Sequence, residues 1–128
     1  CLALETQPKL SEVKAVLDLL KNEYPDQKVY VSFTLQNAET ISEGTKLADA
    51  AKAVAQYDQV IGVGVNCIPP RLVTPAIKKL KEATALPIIV YPNSGASYDA
   101  TTKTWSAAPA EDDFGKLTKE WLLYDYAR

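Results

Sequence analysis

The chain has 128 residues, enough for one domain or a part of a larger one. Its apolar content of 47% is that of a folded protein, and a net charge of −2 with a pI near 5.1 argues against nucleic acid or an anionic membrane surface as a partner. No apolar run reaches the roughly 20 residues that a membrane-spanning helix needs, and the absence of any histidine removes the commonest general base and metal ligand.

The first segment, "CLALE", is apolar from Cys1 and reads as a short buried strand ending at Glu5 and Thr6. "PKLSEVKAVLDLLKNEYP" follows, with Leu10, Val13, Val16, Leu17 and Leu20 on one helical face and prolines at both ends. "KVYVSFTL" is a strand rich in β-branched and aromatic residues, "QNAETISEGT" a polar loop, and "KLADAAKAVAQYD" an alanine-rich helix. "QVIGVGVNC" is nearly all apolar, as strands covered on both faces are. Its Gly62 and Gly64 lie inside the strand, where they permit close packing; no G-x-G-x-x-G opens a helix and no P-loop is present, so a nucleotide site is not expected. "PPRLVTPAIKKLKEAT" carries the third helix, with prolines where missing N–H groups cost least and a solvated "KKLK" face. "LPIIVYP" is the fourth strand. A loop of around 20 residues, containing Tyr98, Asp99, Lys103 and Trp105, is long enough to raise the odds of a functional role. It leads to a last helix, "DDFGKLTKEWLLYDYA", whose Phe114, Leu117, Trp121 and Leu122 are read as core.

Strand and helix alternate four times without a hairpin signal, which predicts an α/β fold of consecutive βα units with parallel strands. The units fit an open doubly wound sheet or about half of a (βα)8 barrel. Either way the chemistry belongs at the C-terminal strand ends, here Glu5-Thr6, Ser32-Phe33-Thr34, Asn66-Cys67 and Tyr91 to Gly95.

The two cysteines, Cys1 and Cys67, do not make a disulfide framework, so a cytoplasmic location is expected. Cys67 is a buried apolar thiol, or a thiolate at a strand end acting as nucleophile or zinc ligand. Cys1, at the far end of its strand, is expected to be a core thiol. Glu5 caps the next helix, pairs with a lysine, or binds a substrate ammonium group. Asn93 fits an Asx-turn.

"ETQP", "SFTL", "SEGTKL", "GVNC" and "LPIIVYPNSGASYDATTKTW" stand in an order and spacing that resembles the homocysteine S-methyltransferase family, in the branch using S-methylmethionine or S-adenosylmethionine as methyl donor. The resemblance runs from Cys1 to about Trp121 and implies a (βα)8 barrel with a catalytic zinc held by three cysteine thiolates. It makes Cys67 of "GVNC" one of these thiolates, with two more in a "GGCC" motif. It makes Glu5 the group binding the amino group of homocysteine, and places Asn66 and the loop with Asn93 around the pocket. Such a zinc leaves one position open, where a substrate thiol loses its proton and attacks a sulfonium methyl group.

The 128 residues hold neither "GGCC" nor the family's early "DG" motif. By this resemblance residues 1–128 are the fourth to seventh βα units of a partial homocysteine-binding barrel, expected to be inactive alone. Its two open sheet edges favour self-association or packing on a partner, and a non-catalytic half-barrel is the alternative reading. A third reading makes Cys67 the covalent nucleophile of a different βα enzyme.

Overall fold

A computed structural model describes residues 1–94, 96, 98–106 and 114–126. Strands β1 (Leu2–Gln7), β2 (Val29–Phe33), β3 (Val60–Asn66) and β4 (Ile88–Tyr91) form one sheet in the order β1-β2-β3-β4, and each neighbouring pair is parallel. Helices α1 (Leu10–Glu23), α2 (Leu47–Val54) and α3 (Val73–Ala83) connect them, and α4 (Phe114–Tyr126) follows. A single 3-10 turn at Pro70–Leu72 leads into α3.

The winding settles which of the two expected architectures is present. Doubly wound sheets reverse strand order at a switch point and carry helices on both faces. Here the order never reverses, and α1 packs on α2, α2 on α3 and α3 on α4, as one continuous helix layer. Under that layer lies the core: Val29, Val31 and Phe33 of β2, Val63 and Val65 of β3, and the inward stripes of α1 (Val13, Leu17, Leu20), α2 (Leu47, Ala50, Ala51, Val54) and α3 (Val73, Ala76, Ile77, Leu80). This is an open sheet of four βα units, consistent with part of a TIM barrel.

On the opposite sheet face, register aligns Ala3 with Tyr30, Ser32 with Gly64, Gly64 with Ile89 and Asn66 with Tyr91. Gly64 is needed there, because a Cβ would come within 1.7 Å of the Ile89 carbonyl oxygen. At Gly62 a Cβ would meet the tip of the Ile89 side chain at 3.0 Å and stand in ordinary contact, at 3.5 Å, with the Pro87 carbonyl oxygen and Tyr30 Cβ.

Several segments differ from expectation. The "polar loop" after β2 buries Ile41 completely and is tied by isolated bridges from Leu35 to Ile41 and from Thr40 to Lys46, while Asn37 Oδ1 accepts the N–H groups of Glu39 and Thr40. The long loop contains a hairpin, β5 (Tyr98–Asp99) with β6 (Thr104–Trp105), too short to leave a periodic signal. Its turn is closed by Asp99 Oδ1, which accepts the Thr101 N–H at 2.8 Å; that bond holds the carboxyl below its ordinary pKa. The Asx-turn expected at Asn93 would close on Gly95, outside the described residues.

Val16 and Leu122 are exposed, one position off the buried stripes of their helices, whereas Trp121 is 6% exposed and Leu117 is half-buried. Phe114 keeps partial exposure but packs edge-on against Trp121, with ring centroids 5.8 Å apart. Cys1 is exposed rather than core, because β1 is an edge strand and Cys1 precedes its first residue.

Candidate active site

Residues from the ends of all four strands meet on one rim. The centre is Asn66, the last residue of β3, at 1% exposure. Such an amide is costly to bury unless both ends are paired, and here they are. Asn66 Oδ1 accepts the Thr6 N–H at 2.9 Å and the Ser32 hydroxyl. Asn66 Nδ2 donates to Thr6 Oγ1 at 2.6 Å and to Cys67 Sγ at 3.3 Å. Thr6 Oγ1 in turn donates to the same sulfur at 3.6 Å.

Backbone distortion makes this convergence possible. Thr6 has φ 56° and Cys67 has φ 52°, both in the left-handed region. For a β-branched residue that is an outlier, and strained residues of this kind persist only where their surroundings hold them. Pairing of β1 with β2 slips between Leu4 and Gln7, so Thr6 leaves the ordinary two-residue alternation and its hydroxyl reaches across to β3. Cys67 follows the last residue of β3 and turns out of the strand at its own left-handed φ, with no slip in the β3–β4 pairing. Its thiol is exposed, so the expectation of a buried apolar thiol does not hold.

Glu5 neither caps α1 nor pairs with a lysine among the described residues. Glu43 performs the capping, its Oε1 accepting the Leu10 N–H at 2.7 Å. The Glu5 carboxylate instead accepts the hydroxyl of Tyr30, which comes from β2 on the same sheet face. Donation to this carboxylate pushes the Tyr30 pKa up, so the phenol stays protonated through the neutral range. Tyr91 closes the group from β4: its hydroxyl lies 3.3 Å from Ser32 Oγ, and burial raises its pKa.

Asn93 is exposed on the loop after β4, its N–H bonded to the Ile68 carbonyl at 2.9 Å. Of the residues singled out from the sequence, Glu5, Asn66 and Cys67 therefore share the rim with Thr6, Ser32 and Tyr91, and Asn93 borders it through the segment after Cys67. Tyr30 is the participant that sequence reasoning missed. The available signal was its position two residues before Ser32, which puts it on the same strand face.

Cys67 offers an accessible soft donor whose sulfur accepts two hydrogen bonds, the kind of support that holds a metal-bound thiolate in place. Zinc needs about four ligands, and no group of three His, Cys, Asp or Glu that could hold a metal occurs among the described residues. These residues fit one ligand position and do not by themselves fit a zinc ion.

Parallel βα units wound in one direction beneath a single helix layer, with polar side chains gathered at the C-terminal strand ends, have the architecture of barrel enzymes. The sequence profile described as homocysteine S-methyltransferase matches residues 1–125. The chain is 42% identical over 120 residues to the homocysteine S-methyltransferase YbgG of Bacillus subtilis, covering 94% of this chain and 38% of that protein. It is 46% identical over 104 residues to a homocysteine S-methyltransferase of Escherichia coli, covering 81% of this chain and 33% of that one. Among solved structures it is similar to the apo form of the homocysteine methyltransferase MmuM from Escherichia coli, with TM-score 0.69 and 44% identity over 73% of this chain and 35% of that chain. A structure titled the metallated form of the same enzyme matches equally well, with 32% of its chain covered. The chain belongs to the homocysteine S-methyltransferase family. It spans between 33% and 38% of the length of the two relatives.

Proposed function

We propose that residues 1–128 are the fourth to seventh βα units of a zinc-dependent enzyme that transfers a methyl group from S-methylmethionine or S-adenosylmethionine to homocysteine, giving methionine. The observation that carries this reading is the Thr6–Asn66–Cys67 cluster, an exposed thiol held by two donors on the same rim as a carboxylate. Family membership and the names of the relatives support it, and the short share of those relatives that the chain spans supports a partial barrel.

In this reading Cys67 supplies one thiolate to the zinc, and the other ligands come from outside these residues. When bound, the metal would supply a thiolate-stabilising charge that makes the substrate thiol nucleophilic at neutral pH. The chain's own residues do the rest. Asn66 and Thr6 fix the Cys67 sulfur. The Glu5 carboxylate receives the substrate's ammonium group, and the backbone after Asn66, with the loop of Asn93, walls the pocket. The enzyme would work in methionine biosynthesis in the cytoplasm; no described helix is long and apolar enough to cross a membrane.

The test is methionine formation by the complete zinc-loaded protein carrying residues 1–128, given homocysteine and each donor in turn. Activity with one donor, abolished by a chelator and absent from the 128-residue chain alone, is the expected result. No methionine with either donor overturns the reading.

A second reading, a non-catalytic half-barrel that associates through its edges, is favoured by one feature. A cavity of about 370 Å³ lies between α4 and β4, the outer strand among the described residues, lined by apolar side chains that include Ile88, Val90, Phe114 and Trp121. A stable monomer in sedimentation would count against it.

A further inference from the structure

A carboxylate at an exposed strand end has several rotamers to choose from, and a site that reads an ammonium group needs one of them held. The rim supplies the restraint. Tyr30 stands on β2 opposite Ala3, on the same sheet face as Glu5, and its hydroxyl donates to Glu5 Oε1. The phenol is a donor without charge, so it orders the carboxylate and leaves its negative charge for a cation. Behind the pair, Ser32 ties Tyr91 to the Asn66 amide, which in turn holds Thr6, the residue following Glu5. Glu5 is thereby fixed at both its side chain and its backbone neighbour.

We propose that Tyr30 is a positioning residue for recognition of the substrate's α-ammonium group, acting through Glu5: with Oε1 taken by the phenol, the carboxylate presents Oε2 to the cation. The inference rests on the methyltransferase reading and assigns to Tyr30 the selectivity for thiols that carry an amino group.

The experiment compares homocysteine with 4-mercaptobutanoate, the same thiol acid without its amino group, as methyl acceptors for the zinc-loaded complete protein. Wild type, Tyr30→Phe, Glu5→Gln and the double variant are measured, with thermal unfolding recorded for each. Tyr30→Phe should lower kcat/KM for homocysteine about tenfold, through KM, as loss of one hydrogen bond to a charged group does. The desamino thiol should lose less than about twofold. In the Glu5→Gln background Tyr30→Phe should add little, because the group it positions is gone.

Equal losses for both thiols would make Tyr30 merely structural and overturn the proposal. So would an undiminished Tyr30→Phe effect in the Glu5→Gln background. If Glu5→Gln leaves the preference for homocysteine intact, the assignment of Glu5 itself fails. If it abolishes the preference while Tyr30→Phe does not, the methyltransferase reading stands and the role of Tyr30 falls. Should Tyr30→Phe unfold the protein, Tyr30→Met, which keeps bulk at this position and also lacks the donor, replaces it in the same comparison: a loss for homocysteine larger than for the desamino thiol is expected, and equal losses overturn the proposal.

Discussion

Asn66 illustrates how much one side chain can organise. Its amide satisfies the Thr6 N–H, the Thr6 and Ser32 hydroxyls and the Cys67 sulfur, and so joins β1, β2 and β3 at their chemically active ends. Asn66→Ala would remove the acceptor of the Thr6 N–H and leave the Ser32 hydroxyl only its 3.3 Å contact with Tyr91, and should cost about 2 kcal/mol in urea denaturation while freeing Cys67 to adopt other rotamers. Three tyrosines set a pH limit. Tyr30 and Tyr57 donate to Glu5 and Asp18, Tyr91 is pushed up mainly by burial, and all three pKa values are raised above the ordinary 10.0. The folded state thus favours the protonated phenols. The stability they contribute is complete below the unfolded value and is lost as pH rises through about 10 toward the folded values. Urea midpoints should hold between about pH 7 and 9 and fall above about 10, with a shallower fall in Tyr57→Phe. The place of Glu5 and Cys67 on the rim was legible in the sequence, because each follows an apolar run at a strand end. The strained φ of Thr6 was not, since nothing in a threonine announces a left-handed backbone, and Tyr30 was hidden because it lies before the strand end where attention falls.

At the scale of elements, β-branched and aromatic runs and i, i+3, i+4 apolar spacing located all four parallel strands and all four helices within a few residues. What escaped was set by tertiary contact. Ile41 becomes core only because its loop folds back under Leu35, and Leu122 is exposed because Trp121 claims the contact with α3, its Nε1 donating to Thr74 Oγ1 at 3.1 Å. Gln59 is a similar case. From the residue before β3 its Nε2 donates to the carbonyls of Tyr24 at 2.7 Å and Gln27 at 3.1 Å, with that of Leu20 in longer contact at 3.3 Å, holding the end of α1 and the turn after it. The two strand glycines make a sharper prediction. Gly64→Ala drives a Cβ into the backbone of β4, which cannot yield without breaking the ladder, and should cost ~3 kcal/mol or more. Gly62→Ala meets the end of a flexible side chain and should cost about 1 kcal/mol. Thermal unfolding of the pair distinguishes them, and equal losses would contradict the close approach of β3 to β4.

For the whole molecule, unidirectional winding under one helix layer brings four strand ends together, and with them a thiol, a carboxylate and a buried amide onto one rim. Among the described residues β1 and β4 are the unpaired outer strands of the sheet, the latter beside an apolar cavity. The 128-residue chain is therefore predicted to sediment as an associated species at micromolar concentration, and Leu122→Lys, placing a charge at the exposed mouth of that cavity, should shift it toward monomer.

The methyltransferase reading stands or falls with Cys67 as a ligand of the metal. Zinc content, by elemental analysis, of the complete protein with and without Cys67→Ser decides it. About one zinc per chain is expected in the wild type, with loss of most of it, together with methionine formation, in the variant. Full zinc and full activity in Cys67→Ser would contradict it.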